Sequence, residues 1–117
     1  MKHSLMIALL LAVGSAQAAP VVHGHASWYG KECAGRKMAN GKPFNPQAYT
    51  AASYDYPLGT RLDVSYGSRH VQVVITDRGP AHRLGRLLDL SESAATALGY
   101  HEAGITTVDV KILAPKS

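Results

Sequence analysis

The chain has 117 residues, with twelve Lys and Arg against eight Asp and Glu and a formal net charge of +4 at neutral pH. Its length suits one domain, and its single cysteine, Cys33, excludes an internal disulfide or a cysteine-rich metal site. The basic residues are scattered and form no stripe, which argues against nucleic acid and is compatible with an anionic polymer surface.

Lys2 and His3 give a positive start, Leu5 to Gly14 is an uninterrupted apolar run, and Ser15-Ala16-Gln17-Ala18 has the small-x-small pattern of a signal-peptidase site. The run is far shorter than the roughly 20 apolar residues that span a bilayer. Residues 1–18 therefore read as a cleaved signal peptide, and no cysteine ends the apolar run to accept a lipid anchor. A periplasmic or secreted monomer is expected, soluble after cleavage and without stable membrane insertion. Residues 19–24 read as a flexible lead-in, and residues 25–113 as a single domain.

His25 to Gly30 reads as a short aromatic strand stopped by glycine. Residues 31–47 are rich in Gly, Asn, Pro and Lys and read as a long exposed loop, of the kind that is usually functional or mobile. Cys33 within it reads as a small half-buried side chain. Leu62, Val64 and Tyr66, then Val71, Val73 and Ile75, alternate with polar positions on either side of Gly67-Ser68, which predicts a hairpin.

Asp77-Arg78-Gly79-Pro80 ends that hairpin abruptly, and Leu87 to Leu90 reads as a brief apolar strand. Ser91 is placed to cap a short helix carrying Ala94, Ala95, Ala97 and Leu98, with Gly99 at its C-terminal end. Thr107 to Leu113 reads as a last strand with Val108, Val110 and Ile112 on one face. With no disulfide to staple it, so small a β domain is best served by a closed barrel, which has no open edge.

Several short motifs occur in order: Ala26-Ser27-Trp28-Tyr29-Gly30, Ala39-Asn40-Gly41, Thr50-Ala51-Ala52, Leu58-Gly59-Thr60, Asp77-Arg78-Gly79-Pro80 and Asp89-Leu90-Ser91. Ala94-Ala95 and Leu98-Gly99 close the series. Together they resemble the rare lipoprotein A (RlpA-like) family, and more distantly the expansins. The resemblance implies a mainly β fold, a six-stranded double-psi β-barrel with one or two short helices. It also implies lytic transglycosylation, in which an acid protonates a glycosidic oxygen and the muramic acid's own hydroxyl attacks, leaving a 1,6-anhydro end. The implied partner is the glycan strand of peptidoglycan, and no cofactor or metal is implied.

Asp77 resembles the family's catalytic aspartate by position. At a strand end beside a Gly-Pro turn it either faces a groove or serves as a turn-bracing carboxylate that accepts main-chain N–H groups. Arg78 is a candidate for bidentate contact with substrate oxygens. Trp28 and Tyr29 are candidates for stacking on sugar, but on a strand only one of two neighbours faces a cleft. Asp89 reads as a turn brace or a partner of Arg86, Glu32 as a solvated loop charge, and His70 and His82 flank Asp77.

Two candidate substrate-binding positions depart from the family. Lys42 stands where a glutamate usually follows Ala-Asn-Gly, and Ser53 where a histidine usually follows Thr-Ala-Ala. An ammonium does not replace a carboxylate as an acid near neutral pH. The alternative expectation is therefore a non-catalytic, expansin-like module that binds or loosens cell-wall glycan. A secreted inhibitor or binding scaffold built on the same frame is a third.

Overall fold

The computed structural model describes residues 20–79, 86–102 and 104–114. The expected signal peptide and His82 lie outside these residues. Six strands are present among the described residues: β1 (Val21–Tyr29), β2 (Thr50–Ala52), β3 (Arg61–Tyr66), β4 (Arg69–Asp77), β5 (Arg86–Ser91) and β6 (Ile105–Ile112). They close in the order β1-β5-β2-β4-β3-β6. The β1–β5 and β2–β4 pairs are parallel, and the other ladders are antiparallel. This is the expected six-stranded double-psi barrel, with a short helix, α1 (Glu92–Leu98), and a 3₁₀ turn at Lys31–Cys33.

Within the expected lead-in over residues 19–24, Val21 to Gly24 belong to a strand and pair with Lys111 to Val108 of β6. Without that extension β6 would expose unpaired main-chain groups along one edge. The alternation that marks a half-buried strand is missing there because Val21 and Val22 are both exposed. Strand β1 therefore begins at Val21 rather than at His25.

Period-two alternation fills the interior. Leu62 and Val64 of β3, Val73 and Ile75 of β4, Leu88 and Leu90 of β5, and Val108 and Val110 of β6 are all buried in one cluster. Each such side chain stabilises the fold by about 1.5–3 kcal/mol before entropy is counted. Ile112, expected on the same face as Val108 and Val110, is 49% exposed at the end of its strand.

Helix α1 is bounded as its sequence predicts. Ser91 Oγ accepts the Ala94 N–H at 3.3 Å, and Gly99, at φ 90°, takes the left-handed conformation that ends the helix. Ala94, Ala95 and Leu98 are buried against the barrel.

The long loop over residues 31–47 is more ordered than its composition suggests. Its limbs are tied by Gly35 N–H to the Phe44 carbonyl (2.9 Å), Phe44 N–H to the Arg36 carbonyl (2.8 Å) and Met38 N–H to the Lys42 carbonyl (2.9 Å). Met38 and Phe44 are buried beneath it. The loop is thus a folded wall beside the barrel.

Candidate functional site

Asp77 ends β4 and Asp89 lies in β5, with β2 running between them. Ala52 of β2 pairs in register with both, and Asp89 pairs in turn with Ser27 of β1. In-register neighbours present their side chains to the same face of a sheet, so Ser27, Asp89, Ala52 and Asp77 form one row. A bulge between Ala51 and Ala52 breaks the β2–β4 ladder there, the kind of irregularity that re-aims side chains. At ordinary strand spacing the two aspartates have Cα atoms about 10 Å apart. Only a methyl group stands between them.

A groove of about 380 Å³ opens over this row. The loop over residues 31–47 contributes Cys33, Arg36, Lys37 and Phe44, and β1 contributes Tyr29. A larger and more open hollow of about 480 Å³, near His23 and His25, is reached by none of the ordered motif residues. The chemistry-bearing side chains therefore point to the smaller groove.

Asp77 is half-buried, and the hydrogen bonds of its carboxyl among the described residues all fall on one oxygen. Oδ1 accepts the Ala39 N–H at 2.9 Å and the Arg78 N–H at 2.8 Å. Ala39 belongs to the Ala-Asn-Gly motif, and Asn40 N–H donates to the Thr76 carbonyl at 3.1 Å. The motif therefore fastens the loop to the end of β4 and holds the aspartate. Both expectations for Asp77 are met in one residue: it braces the turn through Oδ1, and it lines the groove.

Asp89 is more enclosed, with 22% of its side chain exposed. The Ser27 hydroxyl donates to its Oδ1. Arg86 Nε lies 3.8 Å from the same oxygen, an ion pair rather than a hydrogen bond. The pairing with Arg86 is as expected; the position in the groove was not anticipated. Burial pushes the Asp89 carboxyl above the ordinary aspartate value, against the opposing pull of the Arg86 guanidinium.

Tyr29 stacks on Phe44, ring centres 4.3 Å apart, and its hydroxyl is buried without a hydrogen-bond partner among the described residues. Burial, then Asp77, Asp89 and Cys33, raise its pKa, so it is a neutral donor at any physiological pH. The phenol therefore keeps an unmade hydrogen bond beside two carboxyls, shielded from the open part of the groove.

The other expected site residues separate. Trp28 points to the opposite side of β1, where its ring stacks on His101 at 4.1 Å and its Nε1–H donates to the His101 carbonyl. Alternation along the strand sends Tyr29 to the groove and Trp28 away from it. Arg78 lines the groove, but its Nη1 donates to the carbonyls of Ser53 and Tyr56, each at 2.7 Å. It clamps the wall rather than presenting a free fork. Ser53 is fully buried; its hydroxyl donates to the Leu87 carbonyl and accepts the Asp55 N–H, both at 3.0 Å. Contact with substrate is thereby corrected to a bracing role. Lys42 is exposed and is not among the groove-lining residues, where Arg36 and Lys37 stand instead. His70 pairs with Asp63 on the β3–β4 hairpin. Among the described residues no cluster of three His, Cys, Asp or Glu is placed to hold a metal.

Residues 21–110 match the family model described as lytic transglycolase. The chain is 46% identical over 92 residues to the probable endolytic peptidoglycan transglycosylase RlpA of Synechocystis, covering 77% of this chain and 28% of that protein. It is 45% identical over 94 residues to the probable endolytic peptidoglycan transglycosylase RlpA of Aquifex aeolicus, covering 79% of this chain and 41% of that protein. The chain thus spans less than half the length of either relative. Among solved structures, the apo expansin of Clavibacter michiganensis superposes with a TM-score of 0.67 at 28% identity, over 84% of this chain and 52% of that one.

Proposed function

The chain belongs to the RlpA-like lytic transglycosylase family, and from that premise we propose that it cleaves the glycan strands of peptidoglycan to 1,6-anhydromuramic ends. The observation that carries this reading is Asp77, anchored through Oδ1 by two main-chain amides while its carboxyl lines an open groove. Fixing one oxygen holds the carboxyl in place, and the second is left for proton transfer. Tyr29, stacked on Phe44, supplies an aromatic wall for a sugar ring. Arg36 and Lys37 give the wall a positive charge suited to the lactyl carboxylates that muramic acid carries along a peptide-free strand.

The signal-peptide pattern over residues 1–18 supports action in the periplasm or outside the cell. Among the described residues no helix is long and apolar enough to cross a membrane. The protein acts as a monomer on glycan, with no nucleic-acid partner and no cofactor. Digestion of purified glycan strands lacking stem peptides tests the reading, with mass spectrometry for anhydro ends. Their absence after treatment with folded protein defeats it.

Lys42 and Ser53 favour a second reading, a wall-loosening module similar to expansins. It predicts that the protein sediments with insoluble sacculi, releases no soluble fragment, and acts unchanged when Asp77 is replaced by Asn.

A further inference from the structure

We propose that Asp89 is a second catalytic carboxyl of this groove, delivering a proton to the glycosidic oxygen while Asp77 receives one from the attacking muramyl hydroxyl. The assignment rests on the transglycosylase reading and adds a division of labour to it. Asp89 and Asp77 flank Ala52 in one row, with Cα atoms about 10 Å apart at ordinary strand spacing. Side chains that stand roughly perpendicular to a sheet keep about the separation of their Cα atoms, which is too great for the two carboxyls to share one proton and leaves room for a glycosidic bond between them. In glycosidases, carboxyls about 5–9.5 Å apart serve as separate proton-handling or nucleophilic groups on two sides of the scissile bond.

The two carboxyls are held alike and housed differently. Each is anchored through Oδ1: Asp77 by the N–H groups of Ala39 and Arg78, Asp89 by the Ser27 hydroxyl. Each has its Oδ2 free of hydrogen bonds from the described residues. Asp89 sits in the drier position, and burial makes it hold its proton to higher pH than an ordinary aspartate. The groups that face it are Tyr29 from β1, Asp77 and Arg78 from the end of β4, and Arg86 from its own strand. Tyr100, beyond α1, and Cys33, Arg36 and Lys37 of the loop complete its surroundings.

The step balances without water. The Asp89 proton passes to the glycosidic oxygen as the bond from that oxygen to C1 breaks. The muramyl C6 oxygen bonds to C1, and its proton passes to the Asp77 carboxylate. Solvent then returns the proton from Asp77 to Asp89 between turnovers.

The test is the rate of release of anhydro ends from peptide-free glycan strands between pH 4 and 8, for wild type, Asp89→Asn, Asp89→Glu and Ser27→Ala. Asp89→Asn is expected to lose about 100-fold or more in rate, while still melting cooperatively and sedimenting with sacculi. The wild-type rate is expected to fall as pH rises through the ionisation of Asp89. Ser27→Ala removes a hydrogen bond that favours the charged carboxyl, so it moves that alkaline limb to higher pH, which a purely structural role would not do. Should Asp89→Asn fail to fold, the limb positions in Asp89→Glu and Ser27→Ala decide, and limbs coincident with wild type overturn the proposal. Wild-type rate and profile in a folded Asp89→Asn also overturn it, leaving the transglycosylase reading intact. A wild-type protein that makes no anhydro ends overturns both.

Discussion

Asp77 and Asp89 take the same register partner, Ala52, from opposite sides. A residue larger than alanine in that place would fill the gap between the two carboxyls. This relation arises because β2, only three residues long, is inserted between β4 and β5 although it precedes both in the chain. Four consequences of the site and its supports can be measured.

Tyr29→Phe separates stability from function. The hydroxyl is buried with no partner among the described residues, a situation that costs about 1–3 kcal/mol. Its removal is expected to leave the urea midpoint unchanged or raised. Sedimentation with sacculi should change by less than about 2-fold, since a hydroxyl with no exposed surface does not reach a sugar, and a larger loss contradicts that placement.

Stability should depend on pH through Asp89. Its folded pKa lies above the ordinary value of 3.8, so the folded state binds this proton more tightly than the unfolded chain. Stability from this group is greatest at low pH, falls as pH rises from near 3.8 to the raised folded value, and stays lower above it. Melting of wild type and Asp89→Asn across pH 3.5–7 checks this. The variant should gain on wild type as pH rises, and a gap independent of pH excludes the effect.

Ser91 joins three parts of the fold. Its hydroxyl accepts the Ala94 and Thr50 N–H groups, at 3.3 and 3.4 Å, and donates to the Ala48 carbonyl at 2.6 Å. Ser91→Ala removes a helix cap and leaves the half-buried Ala48 carbonyl short of a donor. The expected loss is about 1–3 kcal/mol in urea unfolding. A loss under 0.5 kcal/mol, roughly the size of an ordinary surface change, would show that water replaces the hydroxyl.

The two family departures should respond differently to reversal. Lys42 is exposed, so Lys42→Glu is expected to change stability by no more than about 0.5 kcal/mol. Ser53 has no exposed surface, and its hydroxyl bonds the Leu87 carbonyl. Ser53→His asks that pocket to hold an imidazole, an overpacking worth about 1–3 kcal/mol. Paired denaturation curves give the comparison, and equal costs contradict the placement.

Much of the architecture was legible locally. The β3–β4 hairpin follows from alternation about Gly67-Ser68, and α1 from Ser91 at one end and Gly99 at the other, because strand period and helix capping are short-range effects. The start of β1 was not legible, because Val21 and Val22 are ordered by β6, which comes more than eighty residues later. Tyr29 in the groove and Trp28 outside it obey the alternation rule, but the rule does not say which of the two goes inward.

The sequence by itself determined the β3–β4 hairpin, β5, α1 and β6, the closed-barrel class, the family, and Asp77 as a residue of interest, since these depend on period, capping and the order of motifs. Only the tertiary structure decided that Asp89 shares the groove with Asp77, that Arg78 and Ser53 are committed to the wall, and that Lys42 stands apart. Those facts depend on which strands become neighbours when the barrel closes, and long-range pairing brings together residues whose separation along the chain carries no trace of it.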